Sequence, residues 1–178
     1  MSHPDVAPPP VAAGPDHDDA PLVVTVGHLA PGVETVLHAM ALLRSEHPDL
    51  RYEVVGHTHP ELARRDGERY RWSLEALIDD LGLSRRVSLV DRAPAAAEHA
   101  ALGARATAVV VPYRSVEHAT SRSIELAILG DRPLIVTRPC LARVPVIGGV
   151  IRSIECDDDE ACAAALHEAV ASASVRLV

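Results

Sequence analysis

Short apolar runs alternate along the chain with stretches whose apolar positions recur at helical spacing. Five runs predict strands: Leu22–Val26, Tyr52–Val55, Val87–Val90, Thr107–Val111 and Leu134–Thr137. A sixth strand is expected within residues 149–154. Most of the runs are continuously apolar rather than alternating, which is typical of strands buried on both faces of a parallel sheet.

The intervening segments predict helices, each with a recognisable start or end. Val33 to Leu43 carry the stripe of a first helix of about 14 residues. Later helices are predicted at four places: Pro60–Leu81 ended by Gly82, Pro94 to about Leu102, Ser121–Leu129 ended by Gly130, and Asp157 to about Ser172 with Asp157 as cap. Strands alternating with helices predict one α/β domain over residues 21–178, a Rossmann-like parallel sheet with helices on both faces.

Composition restricts the partners and the compartment. Residues 1–20 are rich in Pro, Ala and Asp and predict a disordered tail. A net charge of -8 without a basic stripe, and 2% aromatic residues, disfavour nucleic acid and anionic membranes as partners. No apolar stretch reaches the roughly 18 residues of a membrane span. Without CxxC spacing or a signal peptide, a cytoplasmic protein with reduced thiols is expected.

Two carboxylates mark the candidate site. Pro112 ends the fourth strand, so Glu117 lies on the loop at its carboxyl end, and Glu125 lies in the first turns of the next helix. Ligands bind at this edge of open parallel sheets, and ionised carboxylates accept hydrogen bonds from sugar and ribose hydroxyls. The alternative is a solvated loop Glu and an ordinary first-turn helix Glu.

The strand, Pro112-Tyr113, the E-x7-E spacing and the Gly soon after resemble the donor-binding half of the retaining GT-B glycosyltransferases of group 1. Further matching pieces follow in order: 26–31, 47–49, 54–56, 59–61, 67–71, 81–83 and 132–137. The resemblance implies binding of a nucleotide-diphosphate sugar, with Glu117 facing the transferred sugar and Glu125 the ribose, and no other cofactor. It covers only the carboxy-terminal donor domain, so an acceptor domain is expected from another chain or a homo-oligomer.

The resemblance also assigns a phosphate region, and there the chain departs from the family. Ser121, Arg122 and Ser123 open the helix, whose N–H groups and hydroxyls suit a phosphate. Arg122 stands where the family has Gly, so it either adds charge or fills the pocket. Gly27 and His28 follow the first strand, where the family has a longer loop with a Lys, and this chain contains no Lys, Asn, Gln or Phe. This composition indicates a GC-rich, bacterial genome.

Arg92 follows the third strand, where the family's backbone meets the nucleobase, and the alternative is a strand that simply ends in polar residues. His28, His57 and His59 are expected at one sheet edge. No ligand set with zinc spacing accompanies them, so loop histidines and no metal are predicted. Six arginines are predicted on the solvated face of the long helix and its following turn: Arg64, Arg65, Arg69, Arg71, Arg85 and Arg86. The alternative is that they contact a partner domain or an acceptor.

Two other interpretations of the whole chain stay open. The missing Lys, the shortened loop and Arg122 favour a non-catalytic glycosyltransferase-like remnant or protein-interaction module, whose exposed surface binds a partner. The second interpretation is that the chain is a fragment of a split reading frame.

Overall fold

A computed structural model describes residues 20–145 and 149–175, and these form a sheet of six parallel strands between two helical layers. The strands are β1 (Leu22–Val26), β2 (Arg51–Val55), β3 (Val87–Val90), β4 (Ala108–Val111), β5 (Leu134–Thr137) and β6 (Ile151–Ile154). Their spatial order is β3-β2-β1-β4-β5-β6. The predicted Rossmann-like sheet is confirmed. Except for Ala20, the predicted tail lies outside the described residues.

The helices are α1 (Val33–Leu42), α2 (Pro60–Asp66), α3 (Arg69–Asp80), α4 (Ala96–Arg105), α5 (Ser121–Gly130), α6 (Arg138–Leu141) and α7 (Asp159–Val175). Successive residues of β4 point to opposite faces of the sheet. Ala108 and Val110 pack with α1, α3 and α7, whereas Val109 and Val111 pack with α2, α4, α5 and α6. Burial on both faces explains the apolar runs of β1, β4 and β5, whereas the edge strands β3 and β6 are partly exposed. Among the described residues, no helix is both long and apolar enough to span a bilayer.

The prediction of one long helix from Pro60 to Leu81 was wrong, because two helices, α2 and α3, occupy this segment. Gly67 adopts a left-handed φ of 62° and its N–H bonds to the Ala63 carbonyl, which ends α2. Gly82, with φ 67°, ends α3 as predicted, and the Leu83 N–H donates to the Ile78 carbonyl.

Arg71 was wrongly predicted on a solvated face. It is 7% exposed, donates to the Gly56 carbonyl at 3.2 Å and pairs with Asp91 at 3.0 Å. Arg86 is half-buried, since it donates to the carbonyls of Leu50 and His47. The helical pattern did not reveal that the ends of β2 and β3 supply partners for one face of α3.

Other predicted helix ends also differ, among them the end of α4, which lies at Arg105 rather than near Leu102. The first helix ends at Leu42 and is 10 residues long. The left-handed residue after α5 is Asp131, with φ 49°, and Gly130 belongs to the helix. The cap of α7 is Asp158, whose carboxylate accepts from the Ala161 N–H at 2.9 Å, and not Asp157.

Candidate functional site

The crevice of the sheet lies between the carboxyl ends of β1 and β4. The chain leaves β1 toward β2 on one side and leaves β4 toward β5 on the other, so the connecting loops diverge there. Such a switch point is where open α/β sheets bind ligands. The loops after β1 and β4 line it, and together with the start of α5 they contain most of the residues singled out from the sequence.

The start of α5 is held directly against the end of β1. The Ser123 hydroxyl accepts from the Val26 N–H at 2.7 Å and donates to the Val26 carbonyl at 2.8 Å, and the Thr120 hydroxyl donates to the same carbonyl at 3.2 Å. Gly27, with φ 146°, permits this approach, since a Cβ there would lie 2.3 Å from the Thr120 hydroxyl oxygen. The sequence therefore places Gly where the backbone must pass α5 closely.

The loop after β1 is also held by the loop after β4. The buried Tyr113 donates its hydroxyl proton to the His28 carbonyl at 2.7 Å. Gly32, with φ 118°, lies so close that a Cβ would be 2.0 Å from the Pro112 carbonyl oxygen. The two loops thus form one packed unit around the crevice, although they are distant in sequence.

The predicted site residues divide into two groups. Glu117, Ser121, Arg122 and Glu125 are exposed, on the loop before α5 and in its first turns, and Gly27 and His28 are partly exposed after β1. Ser123 is buried and its hydroxyl is used by Val26. Thr120 is the N-cap of α5, and its side chain forms no capping hydrogen bond with the first N–H groups of the helix. These groups remain available to an anion.

Arg92 lies apart from the crevice. It follows the edge strand β3, which β2 separates from β1. Its guanidinium forms two hydrogen bonds with the Glu98 carboxylate. This pairing raises the pKa of Arg92 and lowers the pKa of Glu98. The charge of Arg92 is already compensated within the chain.

Three histidines from three segments meet at this edge of the sheet. The ring centroids of His28 and His59 are 4.9 Å apart, and those of His59 and His118 are 4.7 Å apart. Burial, followed by the neighbouring imidazoles, lowers the pKa of His28, and burial followed by His118 lowers that of His59. His57, expected in this group, instead bonds to Asp91 at 2.9 Å.

A cavity of about 490 Å³ lies at the opposite edge of the sheet. Its lining includes Thr107, Pro133 and Val150, each of which precedes a strand, and Ala165 and Ala169 of α7. None of the predicted site residues lines it, so it is separate from the switch-point crevice.

Solved structures of glycosyltransferases have the same fold. HepE from Anabaena, in complex with UDP-glucose, is 18% identical with a TM-score of 0.67, over 88% of this chain and 40% of that chain. The C-terminal domain of LpcC, a group 1 glycosyl transferase from Francisella tularensis, is 15% identical with a TM-score of 0.68, over 88% and 78%. The fold is that of the carboxy-terminal half of a GT-B glycosyltransferase.

Sucrose-phosphate synthase from Thermosynechococcus elongatus is 27% identical with a TM-score of 0.66, over 86% of this chain and 37% of that chain. This chain therefore spans about two fifths of the length of HepE and of the synthase. The sequence matches no protein-family model and no curated protein.

The sequence predicted the carboxyl edge of the sheet and its two carboxylates, but it did not predict that His118 neighbours His28 and His59. His118 follows β4, whereas the other two follow β1 and β2, so no spacing along the chain connects them. The signal was topological: all three positions follow the carboxyl ends of adjacent parallel strands.

Proposed function

We propose that this chain is the donor-side domain of a glycosyltransferase. It binds a nucleotide-diphosphate sugar in the crevice between β1 and β4, for transfer with retention onto an acceptor held by a domain of another chain. The observation that carries the proposal is the contact of Gly27 with the uncapped start of α5. The first N–H groups of α5 and two exposed carboxylates therefore lie together at the carboxyl edge of the sheet.

The diphosphate is assigned to the first turn of α5. Its free N–H groups favour an anion, and Arg122 adds a positive charge that no carboxylate of the described residues pairs. Arg114, by contrast, is paired with Asp157 at 2.7 Å. Arg122 therefore takes the place of the missing Lys as the cation nearest the phosphates.

The two carboxylates are assigned to hydroxyl groups of the donor. Glu117 lies on the loop before α5 and accepts from the sugar, and Glu125 lies one turn into α5 and accepts from the ribose. When the glycosyl bond breaks, negative charge develops on the leaving diphosphate, and fixed N–H groups and Arg122 stabilise it. The acceptor domain supplies the position of the attacking hydroxyl.

A second candidate function is a non-catalytic interaction module. The specific observation in its favour is exposed apolar surface on α5, where the neighbouring Ile128 and Leu129 are 43% and 74% exposed. Exposed large apolar side chains favour contact with a partner protein. On this alternative the crevice binds no nucleotide.

Calorimetric titration with UDP, GDP, ADP and their common sugar conjugates separates the two. The proposal expects saturable binding that Glu125→Ala weakens by about ten- to a hundredfold, since a hydrogen bond to a charged group is lost. Glu75→Ala, an exposed Glu on α3, is the matched control and should bind like the unaltered chain. Absence of heat and of thermal stabilisation with every nucleotide would reject donor binding and favour the interaction module.

A further inference from the structure

The histidine cluster includes a carboxylate at metal-binding distance. His59, Glu61 and His118 each offer one ligand atom, and these three atoms lie within 4.8 Å of one another. Tetrahedral zinc with bonds of about 2.0–2.1 Å places its ligand atoms about 3.3 Å apart. Partly exposed side chains can close this difference by small rotations, because all of them lie on loops or on the first turn of α2.

Two imidazole nitrogens of the cluster are buried without a partner. Neither His28 Nδ1 nor His118 Nδ1 has a hydrogen-bond partner among the described residues. Leaving a buried polar atom unpaired costs about 1–3 kcal/mol, so the arrangement is unfavourable unless something else satisfies the two nitrogens. A bound cation that takes the lone pair of His118 Nδ1 would satisfy the one of the two that belongs to the His59, Glu61 and His118 group.

Few existing hydrogen bonds or ion pairs of the cluster would compete with a metal ion. His59 Nδ1 accepts only a long hydrogen bond of 3.4 Å from the Glu61 N–H. No ion pair holds Glu61 or any of the three imidazoles within the described part of the chain. Neutral imidazole and carboxylate together suit borderline metals such as Zn²⁺ and Co²⁺.

We propose that His59, His118 and Glu61 bind a divalent transition metal ion of the Zn²⁺ class, with water in the fourth position. The site lies at the carboxyl edge of the sheet, and it goes beyond the proposed donor binding, since it needs no nucleotide. Its ligands come from the segments after β2 and β4, so the metal ion would join these two segments at the edge of the sheet.

A second histidine group makes a useful comparison. Glu46, His47 and His167 also lie within ligand distance, but they already bond to one another. His167 Nδ1 lies 3.1 Å from the Glu46 carboxylate and 3.0 Å from His47 Nε2. Both contacts use His167 Nδ1, and the group is mostly exposed, so it supplies the control and no proposal of its own.

The test titrates the full chain, without a histidine tag, with Zn²⁺ by calorimetry and with Co²⁺ by visible absorption. The proposal expects one equivalent bound, a d–d spectrum of four-coordinate Co²⁺, and no thiolate charge-transfer band. His59→Ala and His118→Ala should each weaken Zn²⁺ binding tenfold or more, and His118→Gln should do the same while keeping the side chain's size. His167→Ala should leave the affinity unchanged.

Circular dichroism verifies that each variant is folded, and the Zn²⁺-induced rise in melting temperature gives a second readout. That rise should disappear in His118→Gln and persist in His167→Ala. The proposal is overturned if the His59 and His118 variants bind Zn²⁺ like the unaltered chain, or if His167→Ala alone abolishes binding. Neither result depends on nucleotide binding, so the metal titrations do not test the proposal of donor binding.

Discussion

Replacing Ser123 with alanine tests how α5 is attached to the end of β1. The ladder between β1 and β4 pairs Val24 with Val109 as its last register pair, so it does not extend to Val26. There the Ser123 hydroxyl, 1% exposed, bonds to both backbone groups of Val26. Alanine removes both bonds and admits no water.

The expected cost can be worked from the partners that remain. The Val26 carbonyl keeps the Thr120 hydroxyl at 3.2 Å, so only its N–H is left unpaired. A buried unpaired donor costs about 1–3 kcal/mol. Alanine recovers about 0.5 kcal/mol through its higher helix propensity. The free energy of unfolding should therefore fall by about 0.5–2.5 kcal/mol.

Urea denaturation followed by circular dichroism measures this change. Ser121→Ala is the matched control, because Ser121 lies in the same turn of α5 but is exposed, and it should alter stability by no more than about 0.5 kcal/mol. Equal effects of the two substitutions, or a neutral Ser123→Ala, would refute the account of how α5 is held. Since α5 opens at the crevice, Ser123→Ala should also weaken any nucleotide binding.

Two further predictions concern packing and thiol chemistry. A Cβ on Gly130 would lie 2.4 Å from the Gly103 carbonyl oxygen, so Gly130→Ala should lower the free energy of unfolding, measured in urea, by about 1–3 kcal/mol. The control Leu129→Ala should change it little. Equal effects of the two substitutions would contradict close packing of α4 and α5. Iodoacetamide should modify only Cys156 in the folded protein, as detected by mass spectrometry. The reason is that burial raises the pKa of Cys162 to about 12 and that Cys140 is also buried. Labelling of either buried thiol in the folded protein would count against this.

The strands followed from the sequence because burial on both faces needs an uninterrupted apolar run. Leu22–Val26 and Leu134–Thr137 are found where they were predicted. Gly82 likewise ended α3 through a local requirement for left-handed φ. Gly130 is a Gly for another reason, since it touches Gly103 across two helices, and no local pattern reports that contact.

The candidate site divides in the same way. That Glu117 and Glu125 lie at the carboxyl edge follows from the sequence alone, because parallel strands bring their carboxyl ends to one edge. Tertiary structure alone decided that the Ser123 hydroxyl is used by Val26 and that His118 meets His59. A sequence states which groups follow each strand, but the distance between groups on different loops depends on how strands pair and helices pack across the sheet.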